Sequence, residues 1–124
     1  MTPEWTDAVT RGDVEALTRL IAAGANIDAR DQHGQTVLMN AAHEGRTSVV
    51  RCLLMHHPDL DHTAKYHLSA VMLAVINGHV EIVCALVEAG ADLAIRGTGA
   101  PGFHQKTVLD LAEAQQHQDL IDLL

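Results

Sequence analysis

The sequence predicts an all-α solenoid of stacked helix pairs, and three observations support this. A pattern of apolar, small and glycine residues recurs at a regular interval along the chain. Apolar residues make up 48% of the 124 residues but aromatic residues only 2%, which indicates a core of aliphatic side chains and alanine. No single repeat can bury its own apolar face, so neighbouring repeats must stack around one continuous core.

The register of the repeat is set by one recurring segment, found at 36–41 (TVLMNA), 69–74 (SAVMLA) and 107–112 (TVLDLA). The start positions 36 and 69 differ by 33, whereas 69 and 107 differ by 38, so five residues are inserted before the last copy. These offsets describe one domain over 1–124, divided into four repeats at 1–30, 31–63, 64–96 and 97–124.

Each repeat is predicted to form two short helices. In repeat two, apolar spacing predicts the first helix over 37–44 and the second over 47–55. Gly45 stands between them, where a left-handed residue lets the chain reverse. One inner position of the first helix is always alanine, which allows close helix approach. These residues are Ala8, Ala41, Ala74 and Ala112.

The motifs resemble those of a known repeat family. The segments 36–41 and 107–112 stand where the ankyrin repeat has Thr-Pro-Leu-His-x-Ala. DQHGQT at 31–36, GHVEIV at 78–83 and EAGAD at 88–92 are similar to its opening, second helix and exit turn. The resemblance covers the whole chain. It implies short hairpin-like fingers between helix pairs, repeats one and four as caps, and a non-catalytic function in protein binding.

The chain departs from the family pattern at three places. His67 stands at the finger-tip glycine, and His57-Pro58 replaces the exit Gly-Ala. Both glycine positions favour positive φ, so we expect local distortion over 55–62. The inserted stretch 97–106 is expected to lengthen the last finger into a mobile loop.

The resemblance also implies which residues bind a partner, because the family uses finger tips and the concave face of the first helices. Large apolar side chains at these positions, Tyr66, Leu68, Ile76 and Phe103, are expected to be exposed anchors. Two alternatives remain: Phe103 folds under its own loop, and Ile76 is partly buried. The complete predicted set is His33, Gln35, His43, Lys65, Tyr66, Leu68, Ile76, Asn77, Phe103, His104 and Gln115.

Charge limits the class of partner. The net charge of −8 argues against nucleic acid and against an acidic membrane surface. The finger segments 30–35, 63–68 and 96–106 carry +3, so the rest of the −8 chain carries −11. This predicts a protein partner with an acidic segment, although ordinary solvated charge explains the same numbers. Arg30 and Arg96 occupy equivalent places, so a structural role at the finger base is also open.

Catalytic and metal motifs are absent from the sequence. No Gly-x-Ser-x-Gly or phosphate-binding glycine loop occurs, and Asp59 and Asp61 fall in a turn, so neither an enzyme nor a cofactor is expected. The nine histidines lack the spacing of a zinc motif. Two other classes stay open: a small histidine-rich metal-binding protein, and a structural module that self-associates through its ends.

The remaining features predict a monomeric cytoplasmic domain. Cys52 and Cys84 lie in apolar helical runs and are expected to be small core residues rather than a redox pair. The first residues have neither the basic start nor the apolar stretch of a secretory signal.

Overall fold

Four helix pairs follow one another along the chain. A computed structural model describes residues 2–99 and 102–124, where it contains eight α-helices, one 3-10 turn at Lys65–His67 and no β-strand. The all-α prediction is confirmed, and the fingers are loops in which Arg30 and Thr36 form an isolated antiparallel bridge. The helices are α1 (Pro3–Arg11), α2 (Val14–Ala22), α3 (Val37–Glu44), α4 (Thr47–Leu54), α5 (Ala70–Ile76), α6 (Val80–Glu88), α7 (Val108–Ala114) and α8 (Gln118–Leu123).

The helices form two layers around a continuous core. The first helices α1, α3, α5 and α7 pack side by side, and the second helices α2, α4, α6 and α8 pack in the same order. Leu17, Val50 and Val83, which are equivalent positions of successive second helices, are completely buried. The four predicted alanines are buried as well and bring the first helices close together. No helix within the described ranges has the length and apolar character needed to cross a membrane.

The reversal inside repeat two requires glycine for two reasons. Gly45 adopts the left-handed conformation at φ 76°, as predicted. In addition, a Cβ at this position would lie 2.7 Å from Cε1 of the His79 ring. That ring bonds across repeats, because its Nε2 lies 3.2 Å from the carbonyl oxygen of His43. The neighbouring repeat therefore packs directly against the Gly45 backbone.

Aspartates connect the exit turns of successive repeats. A carboxylate oxygen of Asp28 accepts a hydrogen bond from the backbone N–H of Asp59 at 2.8 Å, and Asp61 accepts one from Asp92 at the same distance. These equivalent bonds satisfy backbone groups that the turns would otherwise leave to water. The acidic turn that includes Asp59 and Asp61 is therefore a structural element of the stack.

The exit turn of repeat two keeps its shape despite its unusual sequence. His57 adopts φ 53° where the other repeats have Gly24 and Gly90. In repeat three the N–H of Ala91 donates to the Leu86 carbonyl at 3.0 Å, but Pro58 has no N–H to make the equivalent bond. The distortion expected over 55–62 is thus limited to one lost hydrogen bond and one left-handed histidine. The helix before the turn ends at Leu54, one residue earlier than predicted.

Candidate binding surface

The finger of repeat three places an aromatic side chain on an unusual backbone. Tyr66 has φ 59° and ψ 21°, and His67 follows at φ 57°. Left-handed backbone is uncommon for residues with a bulky side chain and costs about 1–2 kcal/mol per residue. Such a conformation persists only where surrounding contacts hold it, and it is concentrated at functional sites.

Contacts from three directions hold Tyr66 in place. Its ring centroid lies 5.5 Å from that of Phe103, and Nζ of Lys65 lies 4.9 Å from the Tyr66 centroid. The carbonyl oxygen of Tyr66 accepts a hydrogen bond from the N–H of Thr98 at 2.7 Å. We call Lys65, Tyr66 and Phe103 the finger cluster. Although it is held in this way, Tyr66 remains 36% exposed.

The inserted loop is fixed at its base to the finger of repeat three. Nδ1 of His67 donates to the carbonyl oxygen of Arg96 at 2.9 Å, and the Arg96 guanidinium donates to that of Gln105 at 2.7 Å. The N–H of Gly97 also bonds the carbonyl oxygen of Lys106 at 3.0 Å. Arg96 therefore has a structural role at the base of the finger, which the sequence had left open for it. Ala100 and Pro101, part of the stretch predicted to be mobile, lie outside the described residues.

Leu68 is not the exposed anchor that the sequence predicts. Its side chain is 6% exposed and belongs to the core. Leu68 has extended backbone directly after the left-handed pair, where the chain leaves the finger for α5, and its side chain packs in the core with the residues that begin that helix. Ile76 and Phe103 are half-buried and pack against the same core, so neither is a fully exposed anchor. The alternative of partial burial is correct for Ile76.

Predicted residues from three repeats meet at the ends of the first helices. The Asn77 side-chain nitrogen lies 3.3 Å from Nδ1 of His43. The Gln115 amide donates to the Ile76 carbonyl at 2.7 Å. We call His43, Ile76, Asn77 and Gln115 the first-helix row. Polar groups that bond one another across repeats give this row a fixed geometry.

The finger of repeat two is separate and is braced by one carboxylate. Asp31 accepts hydrogen bonds from the backbone N–H groups of His33 at 2.8 Å and Gln35 at 3.0 Å, and from the Asn40 amide at 3.2 Å. Desolvation acts to raise the pKa of Asp31, but these hydrogen bonds outweigh it and the pKa is lowered. His33 is exposed and borders a polar groove of about 500 Å³ that includes Glu44.

Three histidine rings bond backbone carbonyl oxygens that are distant in the sequence, and the described residues contain no histidine cluster that could hold a metal ion. The ring of His79 bonds the His43 carbonyl oxygen of the preceding repeat. His62 and His67 each bond a carbonyl oxygen near the other end of their own repeat, and for His62 this is the carbonyl of Gly34, at 2.9 Å. No group of three or more His, Cys, Asp or Glu side chains in residues 2–99 and 102–124 could hold a metal ion. His104 is exposed on the inserted loop. The role of His62 was missed, because the sequence pattern gives no sign of which carbonyl a turn residue will face.

Helix pairs in register, each preceded by a finger loop and stacked through alanine, define the ankyrin class of repeat solenoid. The chain belongs to the ankyrin-repeat family: a family model described as "Ankyrin repeats (3 copies)" matches residues 6–97. The resemblance predicted from the sequence is confirmed.

Relatives share this region of the chain. Ankyrin repeat and SOCS box protein 2 from Bos taurus is 35% identical over 86 residues, which is 68% of this chain and 14% of that protein. B-cell lymphoma 3 protein homolog from Mus musculus is 30% identical over 115 residues, or 92% of this chain and 25% of the relative. Ankyrin repeat and KH domain-containing protein mask from Drosophila melanogaster is 36% identical over 89 residues, 72% of this chain and 2% of that protein. The chain thus spans a quarter or less of these relatives.

Proposed function

We propose that this chain is a monomeric, non-catalytic module that binds a protein partner through the finger cluster and the first-helix row. Ankyrin repeats are generally protein-interaction modules, and membership of the family supports this class of function. The observation that carries the specific proposal is Tyr66, an aromatic side chain held on left-handed backbone at a finger tip and still 36% exposed. Exposed aromatic anchors contribute a large share of the energy of protein interfaces.

The chemistry of the finger cluster favours a partner with an acidic segment. Lys65 lies over the Tyr66 ring, so a positive charge and an apolar face are presented together. Lys106 is exposed beside the same loop. A carboxylate next to an apolar side chain would satisfy both features at once. The acidic body of the chain would repel the same segment elsewhere and so direct it to the fingers.

The further members of the predicted set complete this surface. In the proposal, His33 and Gln35 on the neighbouring finger and His104 on the inserted loop form its polar margin. Leu68 is left out because it belongs to the core. A cytoplasmic location, action as an adaptor and a monomeric state, all expected from the sequence, are part of the same proposal.

Affinity capture with matched variants tests the proposal. Proteins retained from cytoplasmic lysate by the wild-type chain are compared with those retained by Tyr66→Ala and by Leu109→Ala. Leu109 is a suitable control because it is 38% exposed, close to the value for Tyr66, but belongs to neither the finger cluster nor the first-helix row. For a partner so identified, Tyr66→Ala should weaken binding at least about tenfold, and Leu109→Ala should change the affinity little.

Thermal unfolding and sedimentation of the same variants separate binding from folding. We expect Tyr66→Ala to leave the melting temperature nearly unchanged, and the free chain to sediment at 13.3 kDa at all concentrations. Unchanged affinity of Tyr66→Ala would refute the site. Concentration-dependent growth in mass would instead support the self-associating class.

A further inference from the structure

The surface of the second helices carries an exposed methionine that the proposed function does not use. Met55 is 77% exposed, the largest value for any large apolar side chain in the described residues. It directly follows α4, and its equivalents in repeats one and three are Ala22 and Glu88. The repeat pattern therefore does not require an apolar residue here. Exposed methionine is frequent at surfaces that bind apolar segments.

Two grooves flank Met55, one on each side of α4. The first lies between α2 and α4 and is lined by Val14 and Cys52 together with Arg51 and Met55. The second lies between α4 and α6. Its lining includes Leu54, Ala85 and Ala89, and again Arg51 and Met55. Met55 and Arg51 thus form the ridge that separates two apolar depressions.

Arg51 supplies the polar element of this ridge. It is exposed, and none of the ion pairs between described side chains involves its guanidinium. The acidic residue of the second groove, Glu88, accepts a hydrogen bond from the Cys84 thiol at 3.5 Å on its own helix. An unpaired cation between apolar depressions favours a ligand with a carboxylate between apolar side chains.

We infer that this back surface, defined by Arg51, Met55 and the two grooves, binds an amphipathic helix of a partner protein. Packed helices lie about 8–10 Å apart, so neighbouring grooves have a similar spacing. Residues seven apart on a helix are separated by about 10.5 Å along its axis and lie on one face. A helix that crosses α4 therefore places apolar side chains at positions i and i+7 in the two grooves. A glutamate at i+3 or i+4 lies on the same face, above Arg51.

The back surface lies on the second-helix layer, whereas the first-helix row lies on the other layer. Binding at the back surface does not depend on the proposed function of the finger cluster. If one partner binds at each layer, the chain links the two partners although they do not contact each other.

Methionine-methyl NMR provides a direct readout at Met55. The chain has four methionines, and Met39 and Met72 are buried, so a ligand on the back surface should perturb the Met55 methyl selectively. The probe is a synthetic alanine-rich helical peptide with leucine at i and i+7 and glutamate at i+3 or i+4. Its matched partner peptide has lysine in place of the glutamate.

The expected results are specific to charge and position. The glutamate peptide should shift the Met55 methyl and bind about fivefold more tightly than the lysine peptide. Arg51→Glu should reverse this preference. Tyr66→Ala should leave it unchanged, which separates this site from the finger cluster.

Three results would overturn the inference. One is the absence of a Met55 shift with either peptide at millimolar concentration. A second is equal binding of both peptides to the wild-type chain and to Arg51→Glu. The third is a Met55 shift that grows with protein concentration in the absence of peptide, because a second copy of the chain would then occupy the surface.

Discussion

Repeats two and three have the same register but depart from the family pattern at opposite ends. Repeat two has a regular finger with Gly34 at its tip and an irregular exit turn at His57-Pro58. Repeat three has an irregular finger with left-handed Tyr66 and His67, and a regular exit turn at Gly90. At His57 and His67 the backbone keeps its left-handed conformation although the glycine is lost, and in repeat three Tyr66 is left-handed in addition. The stack therefore fixes the backbone, and the side chain at the departure is free to differ.

Each departure also stands beside an exposed large apolar side chain. Tyr66 lies at the irregular finger, and Met55 lies two residues before His57. The regular finger of repeat two is instead stabilised from within, by Asp31 and by the hydroxyl of Thr36. Regular segments therefore maintain the stack, whereas irregular segments carry the exposed side chains that we propose as partner-binding sites.

Replacing Leu68 should have the largest effect on stability. Leu68→Ala removes a core side chain and should lower the free energy of unfolding by about 2–4 kcal/mol. Its equivalent in repeat two, Gln35, is half-buried, and Gln35→Ala should cost less than about 0.5 kcal/mol. Urea unfolding measures both. Similar small losses would mean that Leu68 is a surface residue after all.

Removing the Asp31 carboxylate tests the brace of the regular finger. Asp31→Ala loses three hydrogen bonds to a charged group and should destabilise the chain at pH 7 by about 1–2 kcal/mol, while the exposed Asp119→Ala should change little. Repeat three has Ala64 at the equivalent position and lacks such a brace.

The pH dependence of the Asp31 effect has a definite sign. The pKa of Asp31 is lower in the folded than in the unfolded chain, so its contribution to stability is complete above about pH 4. It is lost as the pH falls through the folded-state pKa. The stability difference between wild type and Asp31→Ala should therefore shrink in acid, and a difference that stays constant down to pH 2 would contradict this account.

The two fingers should also differ in the N-cap residues of the helices that follow them, α3 and α5. Thr36 accepts a hydrogen bond from the Met39 N–H at 3.3 Å, so Thr36→Ala should cost about 1 kcal/mol. The Ser69 hydroxyl is buried without a partner, so Ser69→Ala should be neutral or slightly stabilising. Thermal unfolding of both variants checks this difference, and equal losses would show that Ser69 does cap its helix.

Restoring glycine at the exit turn of repeat two should give the smallest effect, in the stabilising direction. A histidine in the left-handed conformation is strained, and glycine relieves that strain. Because glycine also has more freedom in the unfolded chain, part of this gain is lost. His57→Gly should therefore raise the free energy of unfolding by about 0.5 kcal/mol. His67→Gly should gain less, because His67 also bonds the Arg96 carbonyl. If His67→Gly stabilised the chain more than His57→Gly, the bond from His67 to the Arg96 carbonyl would not be the stabilising contact described here.

The repeat register and the helices followed from the sequence because both depend on short-range patterns. The regular repeat spacing placed α3 at its observed bounds and Gly45 at the reversal. The burial of Leu68 could not be predicted, since it depends on left-handed backbone at the two preceding residues. That backbone in turn depends on contacts from Phe103 and Thr98, which belong to the next repeat and are distant in the sequence. Met55 was missed because exposure of one side chain leaves no periodic signal.

Hydrogen exchange of the chain bound to a captured partner tests the central claim, that the irregular finger rather than the regular one is the binding surface. Binding should slow exchange over 64–68 and 102–106, and Tyr66→Ala should abolish that protection. Exchange over 31–35 should change less, because His33 and Gln35 form only the margin of the proposed surface. Protection confined to 31–35, with none over 64–68, would contradict the account.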